Sequence, residues 1–423
     1  MSFVNKPLTD IMDCVRASTA TYVDATGKIR TAGVNEPRID FSSGQGRLLV
    51  EEQRTNFLGN SQSAWGGAWF GGGSAYFNEE VSDGDIPYLG DTNVSFYGPT
   101  AGTNSFSTSV SFQNVTGLSA GVYTLSCLLK SRDPNDIISS PTIRSLHRGV
   151  NGSSGSSGSM VFRIHATGGV WGSFSSGVGS GIFGESKLIE CTPIGNGWFR
   201  YVERFELIQS GDVQIRLFPY SGGGTFTGDG ESGVLRTLMQ LEKGSTPSSY
   251  IPTGGSSAVT RAADNVSRVL GDEYNSSEGS VVTECQFNRS LSVGSHFLID
   301  ISDGGNADAN RLQITRTGGD IFLRYNLSLS GTQIYETNVA QVNSGVNYKI
   351  AYKFKSGEQK VFLNGELVFT GNHGSLPVFS NPNMSLNGRA VNFAIPLSSV
   401  NYRAINYYSK ALSDIECEEL TRI

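Results

Sequence analysis

Apolar residues in this chain alternate with polar ones in short runs, and clusters of Gly, Asn, Asp and Ser close each run off, while helical periodicity is scarce. A period of two is the mark of strands with one solvated face, which antiparallel sheets provide and helices do not. The runs 121–130 (GVYTLSCLLK), 198–207 (WFRYVERFEL) and 213–218 (VQIRLF) all carry it, and Trp198 falls where a core residue is expected. The sharpest turn signal is Asn364-Gly365 inside 359–370 (QKVFLNGELVFT), where both residues tolerate the positive φ of a two-residue type I′ hairpin. One helix is signalled. Ser413-Asp-Ile-Glu416 has the spacing of a capping box, which predicts a short helix ending near Leu420. The fold class these signals predict is all-β with a short C-terminal helix.

At 423 residues the chain is long enough for two or three domains, each with its own core. Pro247, Pro252, Gly254 and Gly255 break regular structure between Thr246 and Asp272, where few contacts are expected to cross. A second change falls near Asn60, where the opening segment with Pro37 gives way to aromatic-rich sequence. Two low-complexity stretches, 151–159 (NGSSGSSGS) and 171–184, read as exposed loops. These signals divide the chain into an N-terminal segment 1–58, a domain 59–254, a linker 255–278 and a second domain 279–423.

Charged residues are only 17% of the chain, against a typical ~25%, so Ser, Thr, Asn and Gly must wet the surface. Hydrophobic content of 38% is enough for a packed core, which excludes a disordered chain. Acidic residues outnumber basic ones, 38 to 32, and no Lys/Arg run tracks a phosphate backbone, so nucleic acid is not an expected partner. No stretch of about 20 apolar residues offers a membrane-spanning helix, so membrane insertion is not expected. The opening 13 residues lack an apolar run of signal-peptide length, so synthesis and folding in the cytoplasm are expected. Cys14, Cys127, Cys191, Cys285 and Cys417 are odd in number and widely spaced, which fits buried free thiols better than disulfides or a zinc site.

Hydrolysis of a glycosidic bond needs two carboxylates facing each other across it. No Glu-x-Asp-x-x-Glu spacing occurs between Gly279 and Ile423, and the adjacent pairs Glu51-Glu52, Glu79-Glu80 and Glu418-Glu419 read as solvated surface. His147, His165, His296 and His373 stand singly, without metal-ligand spacing, and no Gly-x-Ser-x-Gly elbow joins a strand to a helix. No catalytic residues are assigned. Hard cations want clustered oxygen ligands, for which Asp229 and Glu231 in one loop and Asp303 and Asp308 in another are the candidates for Ca2+. The same residues serve turns, because their side chains bond nearby backbone N–H groups. Sugar recognition combines flat apolar surface with a few fixed polar groups. Trp65, Trp69, Tyr76, Trp171 and Tyr220 lie in Gly-rich or turn-rich sequence and are the candidate sugar-stacking rings, with core packing as the alternative.

Three stretches carry a family resemblance. The first is 16–27 (RASTATYVDATG) with 35–41 (NEPRIDF) and 48–56 (LLVEEQRTN), which resembles the opening module of tailed-bacteriophage virion proteins of the fibre or head-spike type. The second, 240–253 (QLEKGSTPSSYIPT) with 260–264 (TRAAD), resembles the closing strand and exit linker of their carbohydrate-binding-like jelly roll. The third, the Asn-Gly hairpin with 407–414 (YYSKALSD), is similar to a concanavalin-A-like (laminin-G-like) sandwich. The resemblance implies two β-sandwich (jelly-roll) domains in tandem, 59–254 and 279–423, behind an irregular N-terminal docking segment, in a virion surface protein, a fibre, spike or adhesin, that binds host surface glycan and other virion proteins as a homotrimer. It also implies that Arg16, Tyr22, Asp24, Arg38 and Arg54 belong to the attachment segment. A capsid decoration or cement protein and a polysaccharide depolymerase are the alternatives.

Overall fold

The protein is all-β with one short C-terminal helix. The computed structural model describes residues 12–62, 70–72, 76–105, 110–132, 142–149, 159–167, 170–172, 183–218, 225–288, 295–305, 307–388 and 399–423. They fall into two units, one within 12–26, 30–53 and 262–423, the other within 27–29 and 54–261.

In the first unit two antiparallel sheets, each of seven strands among the described residues, face one apolar core. One runs Asp13–Val15, Asn265–Val269, Asn383–Leu386, Ser295–Ser302, Ala309–Thr317, Asp320–Leu329, Thr332–Gln341. The other runs Glu366–Gly371, Glu358–Leu363, Asn347–Lys355, Glu278–Asn288, Ser399–Tyr408, Arg47–Glu51, Ile39–Asp40. Leu312, Ile314, Leu323 and Tyr325 of the first sheet pack in one cluster with Val281, Ile350, Tyr352 and Val400 of the second. Asn364 and Gly365, at φ 52° and 88°, make the expected hairpin turn, with Leu363 opposite Glu366. The helix Asp414–Thr421 begins at the expected capping box, Ser413 N donating to Glu416 Oε2 at 2.7 Å and Glu416 N to Ser413 Oγ at 3.2 Å. Cys417 and Leu412 cover Val282, Ala351 and Phe362 on the sheet beneath.

The second unit has two antiparallel sheets of six strands each among the described residues. Their core joins Val115, Val213 and Ile215 to Tyr123, Leu125, Tyr201, Phe205 and Leu241, and Trp198 is fully buried beside Phe96 and Leu235.

The structure distributes the residues of the expected N-terminal docking segment 1–58 among the strands of the two units. Arg47–Glu51 pairs with Ser399–Tyr408, Val50 opposite Val400, and Asp13–Val15 pairs with Asn265–Val269. The reason is an ionic clasp in the interior of the first unit. Asp264 accepts from Arg16 Nη1 at 2.7 Å, from Arg38 Nη2, and from the Glu51 backbone N–H at 2.9 Å. Arg38 Nη1 also donates to Glu51 Oε2 at 2.9 Å and to the Thr21 carbonyl. Arg16 Nη2 donates to the carbonyls of Gly33 at 2.6 Å and Glu36 at 2.9 Å. Each charge is paired and hydrogen-bonded, the condition under which burial of ions is tolerated. Glu51 is therefore interior, at 2% exposure, and not the solvated surface residue expected.

The expected linker 255–278 is likewise occupied by structure. Val259–Arg261 pairs with Arg54–Asn56, Asn265–Val269 is a sheet strand, and Asp264 anchors the clasp. Ahead of it, Gln240 and Glu242 fold the Pro-containing loop back. Gln240 Oε1 accepts from Ile251 N at 2.6 Å, and Glu242 Oε2 from Ser248 N at 2.9 Å. Side-chain amides and carboxylates thus satisfy a backbone that Pro and Gly keep out of the sheets.

Candidate functional site

The strand Asp320–Leu329 (DIFLRYNLSL) sets two faces by its parity. Leu323, Tyr325 and Leu327 are buried in the core of the first unit, and Ile321 packs against it. Asp320, Phe322, Arg324, Asn326 and Ser328 take the opposite face, since successive strand side chains alternate. Phe322 is the exception to the polar character of that face. It is half-buried and belongs to none of the core clusters among the described residues.

Register assembles the surroundings of this ring. Phe322 lies opposite Thr315 on one neighbour and Gln341 on the other, and Arg324 lies between Gln313 and Asn338. Asn326 lies between Arg311 and Glu336. The polar groups are tied to one another: Arg324 Nε donates to Asn338 Oδ1 at 2.8 Å and Arg324 Nη1 to Glu336 Oε1 at 2.7 Å. Asn338 Nδ2 donates to Thr317 Oγ1 at 3.3 Å and Gln341 Nε2 to Asp320 Oδ1 at 3.1 Å. Thr317, Asp320, Glu336 and Gln341 are exposed. Toward the middle of the sheet the face sinks from solvent: Arg311 bonds Asp300, donates to the Gly305 carbonyl at 2.8 Å and lies 5.2 Å over the Phe297 ring. The outcome is a half-exposed aromatic ring framed by amides, hydroxyls and paired charges whose rotamers are already fixed, which lowers the entropy lost on binding. A pyranose, apolar on one face and rimmed by hydroxyls, matches such a surface chemically.

This face was not among the sequence-derived candidates. Trp65, Trp69 and Tyr220 lie outside the described residues, and Tyr76 and Trp171 stand on the strands Tyr76–Ile86 and Val170–Gly172 without described side chains. The signal that does find the site is an aromatic residue on the polar phase of an alternating strand, which Phe322 shows in the sequence alone.

The cation candidates are used as turn residues. Asp229 Oδ1 accepts from the backbones of Glu231 at 2.9 Å and Ser232 at 2.7 Å, Glu231 itself is exposed, and Asp308 Oδ1 accepts from Ser330 N at 2.9 Å. Asp303 Oδ1 takes only a long contact from Gly305 N, 3.4 Å. Among the described residues no three His, Cys, Asp or Glu side chains are grouped to hold a metal ion. The attachment candidates Arg16, Arg38 and Arg54 are interior, Arg54 donating to the Lys243 carbonyl, so they offer no surface to a partner. Tyr22 is half-buried, and Asp24 holds its own turn through Thr26 N at 2.8 Å and pairs with Arg30 at 2.7 Å. The cysteines are free, and burial pushes the Cys285 thiol up to about 12 and the Cys191 thiol up to about 11, away from thiolate chemistry.

No family model matches the chain, and no curated protein matches it. Solved structures similar to it include the CBM40 module of a Ruminococcus gnavus IT-sialidase bound to α2,3 sialyllactose, at 23% identity, covering 35% of this chain and 84% of that one, with a TM-score of 0.28. Domains LG4-5 of the mouse laminin α1 chain match at 13% identity over 85% of this chain and 93% of theirs, TM-score 0.24. A Bacteroides ovatus xyloglucan-locus GH43B matches at 9% identity over 96% of this chain and 99% of its own, TM-score 0.25. Likeness at this level assigns neither an activity nor a ligand to the chain.

Proposed function

We propose that this chain is a non-catalytic, glycan-binding protein of a tailed-bacteriophage virion surface, and that the outer face around Phe322 is where it meets the sugar. The observation that carries the binding role is the half-buried Phe322 ring set among Thr315, Arg324, Asn338 and Gln341 on the polar side of a sheet. The ring there lies outside the core clusters among the described residues, whereas a pyranose stacked on it would bury it and use the framing polar groups. The virion setting rests on the ordered resemblance of the three sequence stretches. The clasp residues account for part of that resemblance, since Arg16, Arg38, Glu51 and Asp264 all come from its motifs. Five free thiols, three of them buried, suit a protein made in a reducing cytoplasm.

Calorimetric titration of the full chain with polysaccharide from the host surface tests the reading. Phe322→Ala is expected to weaken binding about tenfold or more, equivalent to ~1.4 kcal/mol, with an unchanged melting temperature because the ring lies outside the core. Equal affinity in the two proteins would remove this face from the binding role, and release of new reducing ends by the wild-type protein would overturn the non-catalytic reading.

A further inference from the structure

We infer that the glycan taken by the Phe322 face is neutral, an inference that rests on the glycan-binding reading of that face. Among the described residues two guanidinium groups lie on the face, and each is already held by a carboxylate. Arg324 is bound to Glu336 at 2.7 Å and Arg311 to Asp300. The next arginine along, Arg316, stands opposite Ile321 and so takes the core-side phase, away from the face. Asp320 remains at the exposed end, its Oδ1 meeting the side-chain amide of Gln341. Among the described residues, the exposed part of the face thus carries Arg324 against Glu336 and Asp320, an excess of negative charge.

A uronate, sialate or sulfate on a bound sugar would have to displace Glu336 from Arg324 and approach Asp320. Charge-assisted Arg–carboxylate pairs are strong, and like charges brought together across an interface select against a partner. A neutral sugar meets neither obstacle. Its hydroxyls donate to Asp320 and Glu336 and accept from the amides of Asn338 and Gln341, so both roles of each hydroxyl find a partner. Arg324 then serves to hold Asn338 and Glu336 in place instead of acting as an anion receptor.

The test is a binding panel with the full chain: neutral hexose, pentose and N-acetylhexosamine oligosaccharides against polygalacturonate, polysialic acid and heparin fragments, at low and high salt. The expected result is a neutral ligand bound at least ~10-fold more tightly than any anionic one, with affinity changing less than ~2-fold with salt because no net charge is neutralised. Glu336→Gln releases Arg324 and is expected to raise affinity for an anionic fragment several-fold at low salt, an effect that high salt abolishes. Preference of the wild-type protein for an anionic fragment, with loss of that binding in Phe322→Ala, would overturn the neutral assignment and leave the glycan site standing. Binding of no glycan, or binding indifferent to Phe322→Ala, would overturn both.

Discussion

Asp264 organises more of the first unit than any other single side chain described above. It neutralises Arg16 and Arg38, which precede it by 248 and 226 residues, and it also caps the Glu51 backbone. Removing one partner of a buried pair leaves the other charge uncompensated, which destabilises by ~3–5 kcal/mol. Asp264→Ala strands two guanidinium groups, so a loss at the upper end of that range is expected in chemical denaturation of the full chain. Asp24→Ala, which breaks the surface pair with the 57% exposed Arg30, is expected to change stability little. Similar losses in both variants would show that the clasp has no special weight. The motifs containing Arg16, Arg38 and Asp264 were legible in the sequence, but their role was not. A charged residue in an opening segment gives no sign of whether it faces a partner or an interior assembled from residues more than 200 positions away.

Among the elements, the C-terminal helix depends on charge as well as on its apolar side. Lys353, 4% exposed, bonds Asp414 at 2.5 Å and Glu358 at 2.6 Å, and Lys360 bonds Asp414 at 2.5 Å. The Lys353 hydrogen bond holds the Glu358 carboxyl below its usual range. For Asp414, partial burial pushes upward but the bonds from Lys353 and Lys360 prevail, and its carboxyl is also held low. Depressed carboxyls stabilise the folded state above their unfolded pKa, ~4, and that contribution is lost as pH falls through their lower folded values. The helix is therefore expected to loosen in acid. Cys417 reports it, being fully buried on the side of the helix that packs against the sheet. Its labelling by an acid-tolerant disulfide reagent, mapped by mass spectrometry, should accelerate between pH 5 and pH 2 relative to the core thiol Cys285, and a constant ratio would refute the charged clamp. This helix and the Asn364-Gly365 hairpin were fully legible, because a capping box and a type I′ turn are written in adjacent residues. The segment 246–272 was misread for the opposite reason: Pro and Gly announce a break, while Gln240, Glu242 and Asp264, which fold the segment back, act at a distance.

On the scale of the whole molecule, the all-β architecture followed from alternation alone, but the partition of the chain did not. Residues 30–53 and 262–423 share a unit although 208 residues of the other unit lie between them in sequence. Only pairings such as Val50 with Val400 reveal it. The proposed glycan face was half legible: the phase of Phe322 is visible in DIFLRYNLSL, whereas its frame of Thr315, Asn338 and Gln341 exists only once three strands find their register. Hydrogen exchange of the full chain, with and without the tightest-binding oligosaccharide of the panel, tests the glycan-binding face most directly. Ligand occupying it slows exchange in peptides spanning 309–341 and leaves the remainder little changed. Protection confined to residues 54–261, with 309–341 unaffected, would contradict the account.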